Sequence, residues 1–339
     1  MQPSTKRYVS TRKIGVAAFA LATVSALAGC SSSSDTAAGS GAAPSGSGKC
    51  SDSKISLLIL DAANPWVATL ADGAKARAEA LGAKMNVQNG ALDTATQISQ
   101  LQQAVADGVD GILIESVNAD GVVPAVQQAN SAGIPVVAVN SGVGEGANVV
   151  TFVGVDQTDY GRGLGNLAFQ AKPDGGKVAI IRGVVGNPIE AARTSGIKEV
   201  LAKDSRYEIV AEVADSWTND ENLAAVQDLL NKYPKGSLDV IIAEGPEVYV
   251  GAEYAASIGR SDVKFIAGDF PVQVRDAIAK GTVYATVLQD GAEQGQRGVD
   301  ALCNWIEGKE DEVKRPTDFV DLPLVTKENL SQYSTDWNW

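Results

Sequence analysis

From residue 54 to residue 307 the chain alternates short apolar runs with amphipathic segments, and few folds accept that pattern. Runs of strand length fall at 54–60, 84–89, 111–115, 135–140 and 149–155, with helical segments at 65–81, 94–106 and 121–132 between them. The alternation then starts again. Strands are expected at 177–181, 208–212, 240–243, 264–267 and 285–288, and helices at 160–171, 190–203, 221–232, 248–258, 272–280 and 291–307. Apolar strands bounded by turns and separated by helices predict parallel sheets covered on both faces. Some ten strands are too many for a comfortable single sheet in this length. The expected fold is therefore α/β with two doubly wound parallel sheets, the break falling near Val155-Asp156.

In such sheets ligands sit beyond the carboxyl ends of the strands. Asp61, Asn140, Arg182, Glu244 and Asp269 all lie at or just past predicted strand ends. The glycine-rich run Gly161-Arg162-Gly163-Leu164-Gly165 is not a dinucleotide fingerprint, because its third position would be Asn166 and no strand directly precedes it. It reads as close helix packing. The chain has no Walker A sequence, no CxxC pair and no EF-hand loop.

Ahead of this body stand four cations, Lys6, Arg7, Arg12 and Lys13, then an uncharged apolar stretch over 14–27. That is the layout of a secretory signal, and the stretch is too short for a bilayer span of about 20 residues. Leu27-Ala28-Gly29-Cys30 is similar to a bacterial lipobox, in which the thiol is acylated and becomes the mature N-terminus. Residues 31–48 are almost entirely Ser, Gly and Ala and have little to bury, so a flexible tether is expected. The division expected here is a signal peptide over 1–29 and a lipidated tether over 30–49. The protein would be exported and anchored by lipid to the outer face of the cytoplasmic membrane.

The formal net charge is −13, and cleavage before Cys30 removes four cations to leave −17. An acidic body argues against nucleic acid and against a basic membrane-hugging face. Histidine is absent, which excludes Ser-His-Asp and Cys-His nucleophilic sites and most zinc sites. With Cys30 acylated, Cys50 and Cys303 remain in an oxidising compartment. They are either a disulfide linking the first strand to a late helix or two independent thiols, Cys303 being buried on a helix face.

Taken together, residues 54–330 resemble the periplasmic sugar-binding proteins of the ribose- and galactose-binding type, the solute receptors of ABC importers. Asp61-Ala62-Ala63-Asn64-Pro65-Trp66 is similar to their first strand-to-helix loop, where an Asn-Pro-aromatic sequence lines the sugar site. Asp107-Gly108-Val109-Asp110-Gly111 looks like the lead into the third strand, and Ala132-Gly133-Ile134-Pro135 leads to Asn140, where the family commonly has Asp. Ala191-Ala192-Arg193 with Gly196 matches the helix start whose arginine contacts sugar hydroxyls. Trp217 falls where an aromatic closes over the sugar. Gly268-Asp269 looks like the late aspartate, and Gln289 like the glutamine at the third crossover.

The resemblance implies two lobes, 50–155 plus 290–319 and 156–289 plus 320–330, followed by a tail at 331–339. It implies three crossings between them, near 155–157, 289–291 and 319–321, acting as a hinge in a periplasmic binding protein of type I. Asp61, Asn64, Trp66 and Asn140 would meet the ligand from one lobe, and Arg193, Trp217, Glu244 and Asp269 from the other. Asn64 can equally serve as cap to the helix that Pro65 starts. The expected partners are a sugar or polyol, an ABC permease and, through Cys30, the membrane; a monomer with no cofactor and no metal is expected.

The chemistry is consistent with that implication. Aromatic rings such as Trp66 and Trp217 can cover the C–H faces of a sugar. Charged groups such as Arg193 and Asp269 can take adjacent hydroxyls, at about 1.5–3 kcal/mol for each charged hydrogen bond. The chain also departs from the family. Glu244-Gly245-Pro246 stands where Asn-Asp is frequent, and Asn140-Ser141 replaces an Asp-Arg pair. The pocket is thus less charged than a ribose site, and Glu244 would replace part of what is missing. A sensory role for the same closure stays open, as does an exported carbohydrate-acting enzyme using Asp61, Glu244 and Asp269. A repressor of similar fold is excluded, because a signal and tether occupy the place of a DNA-reading domain.

Overall fold

Strands whose every residue is buried need cover on both faces, and the computed structural model, which describes residues 49–333, supplies it twice. The chain begins with β1 (Lys54–Ile59), α1 (Pro65–Ala80), β2 (Lys84–Asn89), α2 (Thr94–Ala106), β3 (Gly111–Ile114), α3 (Val123–Ser131), β4 (Val136–Val139) and β5 (Phe152–Gly154). It continues with α4 (Gln157–Ala171), β6 (Gly176–Arg182), α5 (Pro188–Leu201), β7 (Tyr207–Ala214), α6 (Asn219–Lys232) and β8 (Val240–Ala243). Then follow α7 (Val248–Ser257), β9 (Lys264–Gly268), α8 (Val272–Lys280), β10 (Ala285–Val287), α9 (Gly291–Ile306), β11 (Thr317–Phe319) and β12 (Leu324–Thr326).

Two six-stranded sheets result, in the orders β11-β5-β4-β3-β1-β2 and β12-β10-β9-β8-β6-β7. All pairings are parallel except β10 with β12. The chain passes between the sheets three times, after β5, after β10 and after β11. Strands β11 and β12 were not anticipated. Each has only three residues, too few to set a pattern of its own, and each exists because an edge of a finished sheet offers it hydrogen bonds. Helix α4 starts three residues earlier than expected because Asp156 accepts from the amides of Thr158 and Asp159, at 2.8 and 3.1 Å.

Each sheet carries a core on either face. Beneath the first, Leu57, Val137 and Val153 pack with Leu70 of α1 and Leu302 of α9. Beneath the second, Val178, Ile180 and Ile242 pack with Tyr160 and Leu164 of α4 and Ile197 of α5. Burying a side chain of this size contributes about 1.5–3 kcal/mol. The glycines of α4 act as the sequence suggested: a Cβ on Gly161 would strike the carbonyl of Arg193, and one on Gly165 would come within 2.8 Å of Val200. The resulting close approach of α4 and α5 brings Arg193 to Tyr160. Cys50, just before β1, forms a disulfide with Cys303 of α9, their Cα atoms 5.0 Å apart. Cys30 and the Trp337/Trp339 tail lie outside the described residues.

Candidate ligand-binding site

The carboxyl edge of the second sheet gathers a bonded charged cluster. Arg193, from the second turn of α5, is 5% exposed. Its Nη1 donates to the carbonyl of Glu244 at 2.7 Å and its Nε to Gln157 Oε1 at 2.8 Å. Asp269 follows β9 in the left-handed region, φ 53°, a conformation that Asp tolerates better than most residues. The Tyr160 hydroxyl donates to Asp269 Oδ1 at 3.0 Å and accepts from the Asp269 amide at 2.6 Å. Burial outweighs the pull of Arg193 and Tyr160 and holds the Asp269 carboxyl above its ordinary range.

Glu244, expected to meet the ligand, is buried within the second half, its carboxylate accepting from the Gly183 amide at 3.0 Å and from the Thr194 hydroxyl. Two buried donors there need an acceptor, and Glu244 satisfies both. Burial lifts its carboxyl to about 7 despite those bonds. The side chain of Glu247, one turn further, carries the unpaired oxygen: its Oε2 is buried without a hydrogen-bond partner. Burial, with Asp215 and Asp269 nearby, raises Glu247 to about 8.

Trp217 also lies in the left-handed region, at φ 56°, where its amide donates to Asp215 Oδ1 at 3.0 Å. Asp215 is held in turn by Asn222 Nδ2 at 2.8 Å. The indole seats against two glycines. A Cβ on Gly183 would strike the ring, and one on Gly245 would come within 2.8 Å of Cδ1. Gly245, one of the departures from the family pattern, thus makes room for the indole. The Nε1 atom of Trp217 is buried and has no partner.

On the first sheet Asn140 follows β4 at φ 55°. Its Nδ2 donates to Glu115 Oε1 at 2.7 Å, while its Oδ1 is buried and unpaired. Asp61 Oδ1 accepts from the Ala63 amide at 3.1 Å. Asn64 caps α1, its Oδ1 accepting from the amides of Trp66 and Val67 at 2.9 and 3.3 Å. Trp66 was expected to cover a ligand face, and the structure places its indole largely in the core. It is 6% exposed within the core, on the side of α1 that packs against Gly291. Its Nε1 donates to the carbonyl of Gln289 at 3.1 Å, which ties α1 to the second crossing. Gln289 also accepts from Gln157 Nε2, at 3.5 Å, through Oε1.

The strand-end rule that found Asn140 could also have found Glu115, which directly follows β3. Gln157, Tyr160 and Glu247 left no comparable trace, because each is one polar residue of a helix or its approach. A separate cavity of about 280 Å³ at the amino edge of the second sheet, lined by Arg260, Lys264, Phe265 and Tyr284 among others, touches none of these residues.

Residues 55–310 match the periplasmic binding protein domain. The chain belongs to that family. This periplasmic binding protein is 27% identical over 275 residues to the ribose import binding protein of Escherichia coli, covering 81% of this chain and 90% of the relative. It is 29% identical over 241 residues to the xylitol-binding protein of Mycolicibacterium smegmatis, covering 70% and 67%. An ABC transporter periplasmic solute binding protein from Actinobacillus succinogenes, crystallised with D-allose, has the same fold, with a TM-score of 0.76 at 21% identity over 83% of this chain and 100% of that one. Periplasmic binding proteins of ABC importers are extracytoplasmic substrate-binding proteins, not enzymes.

Proposed function

We propose that this periplasmic binding protein captures a sugar or small polyol between its two sheet-bearing halves and delivers it to an ABC import permease. The halves act as lobes, 50–155 plus 290–319 and 156–289 plus 320–330, and the three crossings form the hinge. Contacts made only in the closed form supply the free-energy difference that drives closure. A lipid on Cys30 and the tether after it keep this monomeric receptor at the membrane, where its concentration near the permease is high.

The observation that carries the reading is a pair of buried, unpaired polar atoms at the carboxyl edges of the two sheets: Asn140 Oδ1 on the first and Trp217 Nε1 on the second. One ligand hydroxyl can donate to Asn140 Oδ1 and another ligand oxygen can accept from Trp217 Nε1. Arg193 Nη2 and Asp269 Oδ2, which make no hydrogen bond among the described residues, take further hydroxyls. Asp61 and Asn64 border the first-sheet side. Trp66 and Gln289 hold the second crossing in place, and Glu244 presents Arg193 through its carbonyl. The names of the ribose- and xylitol-binding relatives agree with a polyhydroxylated ligand.

A thermal-shift screen against pentoses, hexoses, polyols and non-sugar metabolites tests this. A specific binder stabilises by about 2.7 kcal/mol at a hundredfold excess over Kd. The expected result is a shift with one sugar or polyol that disappears in Arg193→Ala and Asp269→Ala. A hit confined to non-carbohydrate metabolites would overturn the ligand class. For the anchor, Cys30→Ser should move the protein from the membrane fraction to the medium.

A further inference from the structure

We propose that Glu115 decides which end of the Asn140 amide faces the ligand, so that one buried carboxyl switches that position between hydrogen-bond acceptor and donor. The inference rests on the reading above only in placing Asn140 at the ligand.

The geometry leaves Glu115 few options. The residue is fully buried where β3 ends. Its Oε2 accepts from the Leu60 amide at 3.2 Å, and its Oε1 meets Asn140 Nδ2 at 2.7 Å. Its backbone carbonyl is taken by Gln97 Nε2 at 2.8 Å. Asn140 cannot answer by moving its backbone, because its amide donates to Val153 at 2.9 Å in the sheet. Only the side-chain amide can turn. Whichever end of it faces Glu115, the other end is left for the ligand.

An ionised Glu115 can only accept, so it takes Nδ2 and leaves Oδ1 to receive a ligand hydroxyl proton. A protonated Glu115 carries its proton on Oε1, since Oε2 already faces the Leu60 N–H. That O–H would collide with the Nδ2 hydrogens. The amide turns over, Oδ1 accepts from Glu115, and Nδ2 is presented to a ligand oxygen. At high pH the position therefore selects a ligand donor, and at low pH a ligand acceptor.

The surroundings put this change within reach of neutral pH. Helices α2 and α3 carry no charged residue, while α9, packed on the opposite face of β3 and β4, carries Glu293, Arg297 and Asp300. Arg297 is paired to Glu293 and Asp318, and Asp300 to Arg77. The titratable groups on neighbouring loops and caps are Asp61, Asp93, Asp120 and Glu145. Asp61 is bonded to the Ala63 amide and Asp93 to the Thr96 amide, while Asp120 lies against Gly144. No cation is bonded to Glu115 among the described residues. Burial raises its carboxyl to about 7, against the bonds from Asn140 and Leu60.

The test needs no ligand, so its failure is distinct from failure of the sugar assignment. In isotope-labelled protein, the Glu115 carboxyl carbon and the Asn140 side-chain amide are followed by NMR from about pH 3 to about pH 9. The expected result is one shared midpoint near 7. In Glu115→Gln the Leu60 amide takes the Gln oxygen and the Gln amide faces Asn140, so the Asn140 signal should stay at its low-pH position throughout. A Glu115 midpoint at the ordinary value of about 4.3, or an Asn140 amide that stays flat while Glu115 titrates, would overturn the proposal. Should Glu115→Gln not fold, the wild-type co-titration still decides.

Discussion

The guanidinium of Arg193 sits 3.8 Å from the centre of the Tyr160 ring, and the hydroxyl of that ring both donates to and accepts from Asp269. Tyr160, which is itself fully buried, thereby fixes the positions of two oppositely charged groups at one strand edge. A stack of this kind is worth about 2 kcal/mol when desolvated.

Tyr160→Phe keeps the ring and the stack but removes the hydroxyl. The Asp269 amide and Oδ1 then lose a buried partner, at a cost of about 1–3 kcal/mol. Urea unfolding should show that loss, and ligand affinity should fall with it. Unchanged stability would mean that water replaces the hydroxyl.

Gly183→Ala places a methyl group where the Trp217 indole lies. The ring must leave its seat, so tryptophan emission should shift to the red. Ligand affinity should fall about tenfold or more, or about 1.4 kcal/mol. An unchanged spectrum and Kd would show that the indole does not depend on this seat.

Stability should decline as pH rises through neutrality. Burial raises Glu115 and Glu244 to about 7 and Glu247 to about 8. Each therefore keeps in the folded state a proton that the unfolded chain releases near pH 4.3. The stability this contributes is full below that value and is lost as pH climbs through 7 to 8. Urea unfolding at about pH 5, 7 and 9 should give falling values. Glu247→Gln, which cannot ionise, should flatten the slope and be the more stable protein at the alkaline end.

Reduction should weaken the first half selectively. The Cys50–Cys303 bond closes a loop across a sequence separation of 253 residues and links the start of β1 to α9. Its loss should lower unfolding stability by about 2–4 kcal/mol. Denaturant melts with and without dithiothreitol, with a Cys50→Ser/Cys303→Ser double variant as control, measure it. No change would mean that α1 and α9 hold without the bond.

Much of this architecture is legible in local pattern. Apolar runs separated by helical periodicity identify β1 to β10, and Asn64-Pro65 marks the start of α1, because capping and periodicity act within a few residues. Asp269 was marked by its place at a strand end and Arg193 by the resemblance of Ala191-Ala192-Arg193 with Gly196 to the family's helix start, and both lie in the bonded cluster. Pattern carried no record of the partners that Trp66 and Glu244 take: Trp66 packs in the core, and the Glu244 carboxylate bonds to Thr194 while Glu247 holds an unpaired oxygen.

The sequence by itself determined the two parallel sheets, the order of their elements and which strand ends could meet a ligand, since those follow from periodicities of two to four residues. Only the tertiary structure decided where each side chain at those ends points. Gly183 and Gly245 seat Trp217, Leu60 and Asn140 orient Glu115, and Thr194 claims Glu244. Several of those partners are dozens of residues distant along the chain. A side chain's direction depends on which of them packs against it, and local sequence carries no record of that choice.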